Sequence, residues 1–144
     1  MISRTVKDIR IIMDFIERKN KEKKPAFSLV GYSMGGATAI LLNASDDRIV
    51  SVVACVPPLK HPEKEVANFN WSGEIEHALA TVTPQNYSRL QQSPILLLIG
   101  EQDFFYPKEE VNSFYKDVSI QEKEVKYFES GHVLPEAYVN EVIT

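Results

Sequence analysis

The sequence predicts an α/β protein: a mostly parallel sheet of about four strands with flanking helices. Three observations predict it. Three apolar runs of strand length, "AFSLVG" (26–31), "IVSVVACV" (49–56) and "PILLLIG" (94–100), are spread along the chain, and "EVKYF" (124–128) reads as a fourth strand. Stretches with helical periodicity lie between or beside them. The second and third runs are apolar at successive positions, the pattern of a strand covered on both faces. Strands of this kind alternating with helices specify a parallel sheet layered by helices.

Taken in order, residues 2–19 are predicted helical, because Ile2, Val6, Ile9, Met13 and Ile16 recur at spacings of three and four among charges. Pro25 stops the helix and the first strand follows. "MGGATAILLNA" (34–44) is helical, with small residues first and bulky ones later, and "SDDR" (45–48) is a turn. After the second strand, Pro57 and Pro58 end the run. Residues 57–93 break the rhythm and read as an irregular insertion, placed to serve as a lid or pocket wall or to cover a helix face. It carries Phe69, Trp71 and Tyr87 beside Leu59 and Val66. The third strand leads to a helix opened by Pro107, with Val111, Phe114, Tyr115 and Val118 on one side. The fourth strand leads to a short helix over 135–143. With 144 residues, all of this fits a single domain, 1–144.

Composition narrows the function. The chain is 44% hydrophobic and 25% charged, as ordinary globular proteins are, and its net charge of −4 argues against a nucleic-acid partner. The basic stretch "ERKNKEKK" (17–24) contains two glutamates and reads as a solvated helix end and loop. No apolar run is long enough to cross a bilayer, and the charged N-terminus does not resemble a signal peptide. The single cysteine, Cys55, lies in an apolar run and reads as a buried structural thiol. These features predict a cytoplasmic protein.

The chemistry concentrates in "GYSMG" (31–35), a G-x-S-x-G turn between a predicted strand and a predicted helix. Such a turn lifts one serine hydroxyl, Ser33, while strand and helix backbones approach so closely that only glycine fits. A dinucleotide fingerprint needs glycine where Ser33 stands, and a phosphate loop needs Lys-Ser/Thr where Ala37 and Thr38 stand. A serine nucleophile also needs a base, a group to orient that base, and oxyanion donors. Sites in open α/β sheets gather at the carboxyl ends of the strands. Asp103 follows the third strand and His132 follows the fourth. Glu101 and Asp117 are weaker acids for the role, and His61 and His77 lie in the insertion.

On these residues the chain resembles the α/β-hydrolase family, in its serine carboxylesterase or peptidase-like branch. The elbow "GYSMGG", the strand and loop "PILLLIGEQD", the "SGH" loop and the order Ser…Asp…His all match. The resemblance covers nearly the whole chain. It implies Ser33 as nucleophile, His132 as general base and later acid, and Asp103 as the group that orients the imidazole. It implies the Met34 N–H as one oxyanion donor, and no cofactor or metal. Complete members have about eight strands, and the four here correspond to the back half. The expected fold is therefore a truncated α/β-hydrolase fold, without the loop that gives the second oxyanion donor. The first strand becomes an apolar edge open to a second copy or a partner chain. The expected function is hydrolysis of an ester, thioester or amide of a small molecule. Tyr32, Phe69 and Trp71 are expected to contact substrate, and activity is expected to fall as His132 is protonated below neutral pH. The alternative is a catalytically impaired hydrolase-like fragment that acts as a binding or interaction module.

Overall fold

The computed structural model describes residues 2–60 and 78–143. In chain order the elements are α1 (Ile2–Lys19), β1 (Phe27–Tyr32), α2 (Met34–Asn43), β2 (Ile49–Cys55), a 3-10 helix (Pro84–Leu90), β3 (Ile95–Gly100), α3 (Lys108–Asp117), β4 (Lys123–Phe128) and α4 (Tyr138–Ile143). The four strands form one sheet in the order β1-β2-β3-β4, and every neighbouring pair is parallel. Each strand joins beside its predecessor. Right-handed crossovers therefore place α2 and α3 on the same face of the sheet, and α1 packs on that face through Met13.

That face holds the main core. Met13 of α1, Ala39, Ile40 and Leu42 of α2, and Val111 and Phe114 of α3 close over Ile49, Val52, Ala54, Ile95, Leu97 and Ile99. The other face is covered at its middle and far side, where Leu134, Tyr138 and Val142 pack on Cys55, Leu96, Leu98 and Phe128. Cys55 is fully buried, and burial pushes its thiol up to about 11.

Coverage of the second strand departs from the expectation of burial on both faces. Val50 is exposed and Ser51 and Val53 are half-buried. The pairing of β1 with β2 shifts register between Phe27 and Ser28, opposite Ile49 and Ser51, so Val50 is left without a partner. On the same side Val30 of β1 is 58% exposed. Apolar content along a run therefore reported strand identity correctly, but not how much helix lies above each residue.

The insertion splits in its behaviour. His61, Val66, Phe69, Trp71 and His77 lie outside the described residues. Leu59 is fully buried in the main core, not in a pocket wall. Tyr87 packs with Ile2, Ala37 and Leu41 between α1 and α2, and its hydroxyl donates to the Thr81 carbonyl. Gln91 Nε2 donates to the Ile40 and Tyr87 carbonyls, and Asn43 Nδ2 donates to Gln91 Oε1. The described end of the insertion thus covers a helix face.

A charge cluster ties α1 to the turn before β2. Arg48 forks onto both carboxylate oxygens of Asp46 at 2.9 and 2.8 Å and also reaches Asp14 at 2.7 Å. The Arg48 hydrogen bonds hold the Asp46 carboxyl below its ordinary range, against the opposing effect of burial. The native state therefore binds a proton at Asp46 less readily than the unfolded chain does. Asp46→Asn is expected to cost about 2 kcal/mol at neutral pH. That difference should persist above about pH 4, the unfolded value, and close as the pH falls through the lower native one. Urea midpoints of parent and variant, compared at pH 7 and pH 3, check this.

Candidate active site

The carboxyl ends of the strands lie level, because the ladder continues one step past each strand. Ser33 N–H donates to the Cys55 carbonyl at 2.8 Å, Val56 N–H to Leu98 at 2.8 Å, and Glu101 N–H to Phe128 at 2.9 Å. Ser33 sits on this rim between β1 and α2. Its φ is 52° and its ψ −118°, a backbone state that costs a non-glycine residue about 1–3 kcal/mol. The sequence around it permits the state. A Cβ on Gly31 would lie 2.2 Å from the Gly35 carbonyl oxygen, so a side chain there would collide with the start of α2.

The three polar residues singled out from the sequence meet at this rim. Ser33 Oγ lies 3.1 Å from His132 Nε2, and His132 Nδ1 lies 2.8 Å from Asp103 Oδ2. The Asp103 side chain is 1% exposed and that of His132 is 27% exposed. The carboxylate has a second anchor, since Phe105 N–H donates to Asp103 Oδ1 at 2.9 Å. Asp103 therefore keeps the turn role expected of an aspartate there, and uses its other oxygen on the imidazole. The competing acids are elsewhere: Glu101 lies 3.8 Å from Lys108 Nζ, and Asp117 accepts from Gln85.

Met34 opens α2, so its N–H belongs to the first turn, whose donors have no partner inside the helix. It follows Ser33 directly in the chain.

Tyr32, expected against substrate, has its hydroxyl engaged otherwise. It donates to the His132 carbonyl and accepts from Leu134 N–H, both at 2.8 Å. Phe69 and Trp71 lie outside the described residues. Two residues at the site escaped the sequence reading. The rings of Phe105 and Tyr106 stand 5.5 and 5.4 Å from that of His132, both edge-on. The signal was present in "DFFYP", an aromatic triplet directly after the acid. Among the described residues no group of three or more His, Cys, Asp or Glu side chains gathers as a metal site, and no helix is long and apolar enough to cross a membrane.

The fold has counterparts among solved structures. An esterase from Pyrococcus furiosus superposes with a TM-score of 0.73 at 23% identity, over 95% of this chain and 58% of that one. A monoacylglycerol lipase from Paleococcus ferrophilus gives 0.72 at 20% identity, over 99% and 73%. An acetyl xylan esterase from Paenibacillus sp. R4 gives 0.76 at 18% identity, over 96% and 50%. The chain thus spans little more than half the length of the Pyrococcus esterase, and at these identities the likeness is one of fold. No curated protein sequence matches the chain. The sequence profile described as "Serine hydrolase (FSH1)" matches residues 3–141. With the matched stretch running almost from end to end, the chain belongs to the FSH1 family of serine hydrolases.

Proposed function

We propose that this chain carries the nucleophile, base and orienting acid of a serine hydrolase that cleaves an ester, thioester or amide of a small molecule. One observation carries the reading: the unbroken relay from Ser33 Oγ to His132 Nε2, and from His132 Nδ1 to buried Asp103. In this mechanism Ser33 Oγ attacks the substrate carbonyl carbon while His132 Nε2 takes the hydroxyl proton. The carbonyl π electrons move to oxygen, and Met34 N–H donates to that oxyanion. Collapse expels the leaving group, which takes the proton from His132, and an acyl-serine remains. Water then attacks the acyl carbon by the same route, with His132 again as base, and releases the acid and free Ser33. Asp103 holds the proton of the imidazole on Nδ1 throughout, so that Nε2 keeps its lone pair.

The aromatic side chains beside His132 favour an apolar acyl group. The exposed Phe105 ring stands 5.5 Å from the imidazole, exposed Val133 follows His132 in the chain, and Phe104 packs edge-on against Phe105. A reducing compartment such as the cytoplasm suits the lone free Cys55.

Fluorophosphonate labelling read by intact mass tests the reading. The chain is expected to gain one adduct per molecule and Ser33→Ala none. A folded chain that takes up no label refutes it.

A second reading has its own observation. β1 is an outer strand of the sheet, and its own Val30 is exposed on the thinly covered face. Here the chain acts by pairing through β1, with a second copy as the occupant. Light scattering at micromolar concentration is expected to give a dimer mass that Val30→Lys lowers. A monomeric parent removes this association.

A further inference from the structure

His132 comes from the far side of the sheet. Its loop leaves β4, one edge strand, and must cross the ends of β3 and β2 to meet Ser33 at the end of β1, the other edge strand. That is three strand spacings, about 14 Å. Several contacts hold the crossing: Leu134 beyond it is buried with Cys55 and Leu98, and Asp103 holds the His132 ring. Ser130 C=O accepts from Gln102 N–H at 3.0 Å, and a Cβ on Gly100 would lie 2.0 Å from the Gly131 carbonyl oxygen, so the loop lies close on the β3 rim. The backbone of the loop is tied to β1 by the Tyr32 hydroxyl, which bridges His132 C=O and Leu134 N–H. These two groups bracket Val133, which is 80% exposed and contributes little to anchoring. Tyr32 also precedes Ser33 in the chain, and its ring stands edge-on to both His132 and Tyr138.

We propose that Tyr32 is a positioning residue: its hydroxyl pins the His132 loop to the strand that carries Ser33 and so sets the distance from imidazole to nucleophile. The inference rests on the hydrolase reading above for its kinetic consequence, but not for its structural one. The hydroxyl acts as both donor and acceptor across one exposed residue, an arrangement that phenylalanine cannot supply. Without it, the His132 backbone loses its tie to β1, while Asp103 still holds the ring at Nδ1. The imidazole then swings about the Asp103 contact, and Nε2 drifts from Ser33 Oγ. Misplacement of a catalytic group by about 1 Å can cost about 100-fold in rate.

The test uses Tyr32→Phe, which keeps the ring. The fluorophosphonate labelling rate is expected to fall about 10- to 100-fold, with the thermal unfolding midpoint close to that of the parent. The second readout needs no catalysis. A downfield proton resonance from His132 Nδ1–H, assigned by its absence in His132→Gln, is expected in the parent and broadened into solvent exchange in Tyr32→Phe. Tyr32→Phe that labels at the parent rate and keeps a sharp resonance overturns the proposal. So does a parent that shows no such resonance, and so does a Tyr32→Phe chain that fails to fold, which makes the hydroxyl a stability element. A parent that never labels but loses the resonance on Tyr32→Phe defeats the hydrolase reading and leaves the positioning role standing.

Discussion

Asp103→Asn is expected to leave the fold intact and to lower the labelling rate at Ser33 by about 10⁴-fold, the scale of losing the correct imidazole tautomer in a serine hydrolase. The reason lies in the two anchors of this carboxylate. Phe105 N–H requires an acceptor at Oδ1, so the oxygen of an asparagine amide must face it. The amide NH2 is then left facing His132 Nδ1, where Oδ2 had been. A donor there forces Nδ1 to accept, and the ring proton moves to Nε2. The nitrogen that must take a proton from Ser33 then already carries one. Near-UV circular dichroism and the rate of fluorophosphonate uptake check the two halves of the expectation. An unchanged rate would remove Asp103 from the relay.

Gly31→Ala is expected to be the most disruptive single methyl in the described structure near Ser33, at more than about 4 kcal/mol. The added Cβ would meet three backbone atoms of the α2 start: Gly35 O at 2.2 Å, Gly35 C at 2.3 Å and Gly36 N at 2.6 Å. No side chain is there to rotate away, so either β1 or α2 must move, and with it the turn that holds Ser33. The neighbouring glycines supply internal controls. At Gly36 the Cβ would stand 3.1 Å from both Gly31 O and Pro57 Cβ, a tight contact that small shifts relieve. At Gly35 nothing lies within 4 Å, and alanine there should be neutral or stabilise by a few tenths of a kcal/mol, up to about 1, through helix propensity. Denaturant unfolding of the three variants should rank Gly31→Ala far below Gly36→Ala, with Gly35→Ala at or above the parent. Equal midpoints for Gly31→Ala and Gly35→Ala would refute the close approach.

Much of this fold was legible along the chain because its strands and helices are set by local pattern. The predicted helix 2–19 matches α1, and "AFSLVG" shifts by one residue to Phe27–Tyr32. The relay residues were legible for a different reason: parallel strands must all end on one rim, so Asp103 and His132, each just beyond a strand, had to come near Ser33. What escaped depends on contacts between distant positions. Tyr32 looked like a pocket residue because it neighbours the serine. Its hydroxyl instead meets residues a hundred positions away, and no local pattern carries that. Leu59 and Tyr87 sat in a stretch with no periodicity, so their burial in two different clusters had no sequence signal. The exposed Val50 follows from a register shift that involves both β1 and β2.

The in-order sheet has a consequence for assembly. Neighbouring strands are also successive in the chain, so each pairing closes a short or moderate loop, and the sheet can grow from β1 outward. The contact between Ser33 and His132 is the opposite, spanning 99 positions. It closes the longest loop of the relay, whose entropic cost rises with the logarithm of that length. Pairing of β1 with β2 thus suffices to hold Ser33 on its turn, whereas bringing His132 to it needs the whole four-stranded sheet. On the proposed mechanism, the rate of label uptake at Ser33 is expected to report whether the far edge of the sheet is in place.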